Sequence, residues 1–238
     1  MAFVHGKDVV IFVNASNYST YFNNADSTQT ADIAETTTFG NSAKTYIPGD
    51  KDGTISLGGL FDATADGVLQ PLLGGADFNL VLGLDGVATG DRNTFGKGNI
   101  SNYAVSSPVG DVVATSIDVQ PDNGLFSGVV VTNSAFTTTG AQGSAVDNTS
   151  STTAGAGAFL IVTSVSGTSP TGDVKIQHSA DNVTYADLIT FTQATGATSE
   201  IKYVDKGTTI NRYVRVHNTI GGSSTPTINA IVGFGRNN

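Results

Sequence analysis

The sequence predicts an all-β fold with one short helix. Three observations carry that expectation. Short apolar runs recur along the whole chain, separated by turn-forming Gly, Asn, Asp and Pro. Several of these runs alternate apolar and polar residues with the period of a strand. Only one stretch has helical spacing.

In the first half, Asp8 to Val13 reads as a strand that turns through Asn14–Asn17 into Tyr18 to Phe22. Thr54 to Leu57 alternates, with Ile55 and Leu57 on one face. Phe78 to Leu82 places Phe78, Leu80 and Leu82 inward. Ser116 to Gln120 alternates again, Pro121-Asp122-Asn123-Gly124 reads as a tight turn, and Leu125 to Thr132 as the returning strand. Ala65, Val68, Leu69, Leu72 and Leu73 share one helical face, so a short helix is expected near 64–73. Asp62 or Thr64 suits its start and Gly74 its end. Pro71 costs about 3 kcal/mol inside a helix, so this helix must be short or kinked.

The second half reads as purely β. Phe159 to Val165 is a strand, 167–172 a turn, and Asp173 to His178 an alternating strand. Thr184 to Phe191, Arg212 to His217 and Thr227 to Phe234 follow. Such regular short strands suggest a β-sandwich. The stretch from Ser134 to Gly157 is rich in Ser, Thr, Gly and Ala and reads as a linker. The expected organisation is a first β domain over 1–138, a linker over 139–157 and a second β-sandwich over 158–238. Residues 1–138 hold fourteen acidic and five basic side chains, whereas 139–238 hold six of each, so the net charge of −9 lies in the first part.

Composition narrows the function. A net charge of −9 lacks the cationic footprint of a nucleic-acid reader and does not suit docking on anionic lipid. With no Cys, disulfide scaffolds and Cys-ligated zinc sites are excluded. The N-terminus reaches Lys7 and Asp8 before any apolar core forms, so no signal peptide is expected, and no apolar run is long enough to span a membrane. Charged residues are 13% of the chain, against about 25% in an average domain. A surface so poor in charge suits a protein largely covered by copies of itself. Of His5, His178 and His217, the last two fall on outward positions of expected strands and read as exposed surface residues. No Gly-X-Ser-X-Gly elbow, P-loop or dinucleotide fingerprint occurs. Asp50-Lys51-Asp52-Gly53 lacks the remaining ligands of a calcium loop. No enzyme activity, metal or cofactor is expected.

The order of residues in the first half adds a resemblance. Ala31-Asp32-Ile33-Ala34-Glu35-Thr36-Thr37-Thr38-Phe39-Gly40 leads to Lys44-Thr45-Tyr46-Ile47-Pro48-Gly49, then to Asp52-Gly53-Thr54-Ile55-Ser56-Leu57-Gly58-Gly59-Leu60-Phe61-Asp62 and the short helix. In the second half, Val174 to Asp181 and Gly233-Phe234-Gly235-Arg236 complete the pattern. The chain resembles the tail tube (major tail) proteins of long non-contractile-tailed bacteriophages. The resemblance implies a tail-tube-type β-sandwich/barrel domain followed by a second β-sandwich on the outside of the tube. It implies a homo-oligomer of six-fold rings stacked into a tube, or, more weakly, a trimer of doubled subunits. It further implies tape-measure, tail-terminator and tail-tip partners, a place in the virion after assembly in the host cytoplasm, and a lumen through which DNA passes without specific binding.

A lumen that passes DNA should repel phosphate. Asp32, Glu35 and Asp118, acids on expected strands, are the lumen-lining candidates. The polar segment from Thr36 to Asp52 reads as a long loop, and its Phe39, Lys44, Tyr46, Asp50 and Lys51 are the ring-stacking candidates. The competing reading is a capsid or tail decoration protein, or a carbohydrate-binding adhesin. It draws on Tyr185, Tyr203 and Tyr213 but is weakened by the absence of Trp.

Overall fold

The computed structural model describes residues 6–237, with the side chain of Asp50 excepted; His5 lies outside the described residues. The strands are β1 (Val10–Val13), β2 (Ser16–Asn17), β3 (Phe22–Glu35), β4 (Tyr46–Leu60), β5 (Phe78–Gly83), β6 (Arg92–Ser106), β7 (Ala114–Phe136), β8 (Gly140–Asp147), β9 (Ala156–Ser179), β10 (Ala186–Thr190), β11 (Thr198–Val204) and β12 (Tyr213–Arg236). One α-helix, α1 (Ala63–Leu69), lies between β4 and β5. The all-β class with a single short helix is as expected. The residues group into two compact units. The first comprises 6–19, 79–95 and 126–237; the second comprises 20–78 and 96–125. These boundaries differ from the contiguous ones expected, because β6 and β7 are long strands that contribute residues to both units.

The first unit is organised by β9 and β12, which pair antiparallel from Ala156↔Arg236 to Ser179↔Tyr213. The stretch 167–172, expected as a turn, instead lies within the continuous β9. The ladder is interrupted there by register shifts between Gly221 and Ser223 and between Ser223 and Thr227. Ser169, Ser224 and Thr225 take positive φ of 48°, 57° and 53°, so the ribbon bends sharply at this corner. Both arms of the bent ribbon face one core, which holds Leu160, Val162, Ala230 and Val232 from one arm and Val174, Ile176, Val214 and Val216 from the other. One layer is β11, the start of β9, the end of β12 and the end of β7; the other is β10, the end of β9, the start of β12 and β8. This is a β-sandwich.

Within the stretch expected as a linker, Gly140–Asp147 is a strand that pairs with β12 through Tyr213↔Asp147 and Asn218↔Gly140. Its composition concealed it because only Val146 packs against the core. Backbone pairing, rather than apolar alternation, defines this strand.

The first layer is covered on its other face too. Phe159 and Ile161 point away from Leu160 and pack with Phe12, Val81, Phe95, Phe126, Val130 and Ile201. Phe95 meets Phe159 edge-on at 5.0 Å and stacks on Phe126 at 5.8 Å. The Asn79 amide donates to the Ser199 hydroxyl at 2.8 Å, bringing β5 to β11. Burial on both faces explains why 156–162 is a continuous apolar run. His178 and His217 are half-buried rather than exposed. Nδ1 of His178 accepts from the Asn211 N–H at 3.1 Å, and burial followed by the nearby Arg236 charge lowers its pKa.

The second unit is a sheet in the order β3, β4, β7 (its first half), with β6 on the far side of β7. Ile55 and Leu57 of β4 and Ile117 and Val119 of β7 are buried on one face. The helix belongs to this unit, with Ala65 and Leu69 buried. Asp62 caps it by accepting from the N–H groups of Thr64 (2.8 Å) and Ala65 (3.1 Å). Pro71 falls in a 3₁₀ turn, Gln70–Leu72, that succeeds the α-helix, so its missing N–H breaks no α-helical bond. The Tyr103 hydroxyl of β6 donates to Asp66 at 2.7 Å. Burial, then that hydrogen bond, pushes the Tyr103 pKa up to about 12.

Two local expectations change here. Residues 18–22 were expected as a strand, but Ser19–Tyr21 is a 3₁₀ turn and β3 begins at Phe22. Residues 121–124 were expected as a hairpin turn, yet β7 runs straight through them. Asn123 (φ 61°) and Gly124 (φ 76°) instead form an irregularity within one long strand, since two left-handed residues suit a bulge as well as a turn.

A Cβ added at Gly233 would overlap the ring of Phe159, which is fully buried. Gly233→Ala is expected to destabilise the protein by about 1–3 kcal/mol, measured by urea denaturation; an unchanged midpoint would mean that the ring can move aside.

Candidate assembly edge and acidic face

The most exposed element of the second unit is the β3–β4 hairpin. The strands pair from Phe22↔Gly59 to Glu35↔Tyr46. Only Ile55–Leu60 of β4 also pair with β7, so the rest of the hairpin is a two-stranded arm. Residues 36–45 are outside strands. The segment from Thr36 to Asp52, expected as one long loop, is therefore a loop only over 36–45; the rest of it belongs to β4. It escaped a strand reading because neither face alternates when neither is buried.

β3 is fourteen residues long, and none of them is buried. Its neighbour on one side is β4; its other side has no strand partner among the described residues. Among the described residues a second stretch without a strand partner on one side lies on β6, past the bridge of Ile100 to Leu73. The β5–β6 hairpin closes where the Leu84 N–H donates to the Arg92 carbonyl at 2.9 Å. β5 has six residues and β6 fifteen, so β5 runs out before the last third of β6. Residues 101–106 there are exposed apart from the half-buried Tyr103. An unpaired strand edge is a template for another strand.

The arm also carries exposed apolar side chains. Phe39 stands fully out at the tip, and Ile33, Tyr46 and Ile47 are more than half exposed. Lys44 pairs with Glu35 across the tip at 2.8 Å. That bond, with help from Thr37, lowers the Glu35 pKa. Lys51 lies opposite Ala31 within the arm, and the Asp50 side chain lies outside the described residues.

The face of this sheet opposite the apolar one is polar and acidic. Register places Asp26 of β3, Ser56 of β4 and Asp118 of β7 in one cross-strand row. The Ser56 hydroxyl donates to one Asp118 oxygen at 2.6 Å and the Asn102 amide of β6 to the other at 3.0 Å. These two bonds hold the Asp118 carboxyl below the ordinary carboxylate range. Beside Asp26, the Asn24 amide donates to its carboxylate at 2.8 Å. The next row pairs Thr28 with Thr54, and beyond it the Gln120 amide donates to Asp52 at 2.9 Å. The second unit holds eleven acidic and three basic residues, so −8 of the chain's −9 resides there. The charge contrast seen along the sequence, −9 against 0, is largely kept between the compact units, −8 against −1.

Of the three lumen candidates, Asp118 sits at the centre of this face. Asp32 lies at the bulge of β3, where the register shifts between Ala31 and Ile33, and is exposed. Glu35 is at the end of the arm, with Lys44 as its counter-ion. The structure does not bring the three together. Asp26 and Asp52, which do share the surface of Asp118, escaped sequence reasoning. The signal was present as polar residues two apart (Asn24, Asp26, Thr28, Thr30), but it resembles any polar stretch without the register to β4.

No family model and no curated protein matches the chain. Among solved structures it is similar to a protein of the virion of a native gene transfer agent particle, at 13% identity and a TM-score of 0.44, over 51% of this chain and 95% of that one. It is similar to the SPP1 tail tube at 14% identity and a TM-score of 0.41, over 52% and 78%. It is also similar to the SPP1 Dit protein, a paradigm of the hub adsorption apparatus in phages that infect Gram-positive bacteria, at 8% identity and a TM-score of 0.39, over 97% and 99%.

Removing the donors to Asp118 should raise its pKa. In the Ser56→Ala/Asn102→Ala double variant the carboxyl should titrate at higher pH than in the parent, read from its side-chain NMR signal; an unchanged titration would mean that solvent replaces both donors. In the first unit, Arg212 followed by the Thr149 N–H lowers Asp147 to about 2. The N–H groups of Thr184 and Val183, with the Ser179 hydroxyl, lower Asp181 to about 2. Stability linked to these depressed values is fully present above the ordinary 3.8 and is lost as pH falls through about 2. The melting temperature should therefore change little through the drop in pH to about 4 and fall below it, as followed by circular dichroism.

Proposed function

We propose that this chain is a structural subunit of a phage tail tube: copies join edge to edge into rings, the rings stack, and DNA passes through the bore. The observation that carries this reading is the second unit's sheet, which among the described residues has one long open edge on β3 and another at the end of β6. Two different edges on one sheet make a head-to-tail contact, and such a contact gives a ring when its rotation closes. Closure also removes the exposed edges that make a free sheet prone to aggregate.

The two faces of the same sheet divide the remaining roles. The apolar face is buried, and α1 lies beside Leu60, Tyr103 and Thr115 of this sheet. The opposite face, bearing Asp26, Asp52 and Asp118, would line the bore. There its carboxylates repel phosphate and favour sliding over binding. Within such a ring the exposed arm would extend to a neighbouring ring, with Phe39, Tyr46 and Ile47 as its apolar contacts. The first unit, a sandwich with nearly balanced charge, would sit outside the tube. Six-fold rings and the tape-measure, terminator and tip partners belong to this reading through the sequence resemblance. The role is structural and asks no chemistry of any side chain.

Negative-stain electron microscopy of the purified protein at rising concentration tests the reading. Rings or hollow tubes with a bore wide enough for duplex DNA are expected; a monodisperse monomer at every concentration, even with a tail-tip initiator present, would overturn it. Two variants separate the roles. Removing residues 38–43 at the arm tip should leave rings but shorten or abolish tubes. Thr28→Lys, which adds a cation to the acidic face, should leave tubes intact and slow DNA ejection in a particle assay. Unchanged ejection would remove this face from the bore.

A further inference from the structure

A polar cavity of about 480 Å³ opens on the first unit, between the end of β12, the middle of β7 and the segment after β8. Its lining includes two arginines, Arg92 and Arg236, together with Asn148, Ser150, Ser151 and Thr152, and no acidic side chain. In a chain with twenty acidic residues and eleven basic ones, a cavity with two guanidinium groups and no carboxylate is unusual.

Arg236 is held in place rather than neutralised. Its Nη1 donates to the Ser150 carbonyl at 2.6 Å, and its Nη2 donates to the carbonyls of Asn211 and Arg212. Its Nε is buried and has no hydrogen-bond partner. Burial lowers its pKa, and no carboxylate offsets that effect. The acid close by in sequence, Asp147, is engaged by both Nε and Nη2 of Arg212 at 2.6 Å. Arg92 forms no side-chain hydrogen bond or ion pair among the described residues. A half-buried, fixed cation without a counter-ion is costly; Arg236 supplies charge and the remaining Nη1 proton, while the uncommitted guanidinium fork of Arg92 is shaped for an oxyanion. The neighbouring hydroxyls and the Asn148 side chain form a rim that can hydrogen-bond to a hydroxylated body. The volume is that of a small-molecule site.

We propose that this cavity binds an oxyanion carried on a small polyol, such as a sugar phosphate or a uronic acid. Arg92 and Arg236 meet the anion, and the Ser150–Thr152 rim with Asn148 meets the hydroxyls. Every residue involved lies in the sandwich unit, so the site stands or falls independently of the tube.

The test is isothermal titration of the full chain with glucose 6-phosphate, glucuronate, inorganic phosphate and glucose. One saturable site per chain is expected for a charged sugar, weakened by salt, with glucose and inorganic phosphate each binding less tightly. The stronger of glucose 6-phosphate and glucuronate identifies whether phosphate or carboxylate is preferred. Arg92→Gln removes an exposed side chain that holds nothing in the fold, and should weaken binding at least about tenfold with an unchanged melting curve. Arg236→Lys, which keeps the charge but loses the carbonyl bonds that fix it, should weaken it as well. If neither charged sugar saturates, or if binding is undiminished in Arg92→Gln, the site is overturned. If inorganic phosphate binds as tightly as glucose 6-phosphate, the polyol part of the proposal falls.

Discussion

A β-strand carries polar backbone groups along both of its sides, and each group needs a partner. That requirement governs this protein, and its two units meet it differently. In the first unit, β9 and β12 pair along nearly their whole lengths, and the bulged corner folds the ribbon so that both arms cover one core. The other strands of the sandwich add to the sides of this ribbon. In the second unit the requirement is left half-met along β3 and at the end of β6. A protein that leaves fourteen strand residues open on one side either blunts that edge or uses it. No Pro lies on β3, and its charged residues are all acidic.

Electrostatics follow the same division. The first unit's ion pairs, such as Asp147 with Arg212 and Asp187 with Lys175, join strands on an exposed surface. Such exposed pairs contribute little to stability individually. In the second unit many carboxylates are held by neutral donors, as Asp118 is by Ser56 and Asn102 and Asp77 by Asn99. Hydroxyl and amide donors stabilise a carboxylate while leaving its charge uncancelled, so the face they line stays negative. Arg236 is the mirror case in the first unit, a cation fixed by carbonyls alone.

Much of the fold was legible in the sequence, and the exceptions share a cause. Buried alternating strands such as Ile55–Leu57 and Val174–Ile176 were plain because their inward residues are apolar and their outward ones polar. The disruption at Pro71 was equally plain, since the missing N–H is a local effect, whereas the choice between Asp62 and Thr64 as cap was made by the structure, in favour of Asp62. β8 and the outer part of β4 read as linker or loop in the sequence because pairing to a partner strand, and not burial of a face, makes them strands. The turns expected at 121–124 and 167–172 contain residues suited to positive φ, but such residues serve a bulge inside a long strand as readily as a reversal of the chain.

By itself the sequence determined that the chain is β-rich with one capped helix, poor in charge, and acidic in one region. These follow from side-chain periodicity and composition, which are local. Only the tertiary structure decided that β6 and β7 contribute to both units, that Asp26, Asp52 and Asp118 share a face while Glu35 pairs with Lys44, and that Arg92 and Arg236 line one cavity. Each of these depends on register and on which distant strands become neighbours. A strand's own residues state which side is apolar; they do not state which strand lies alongside.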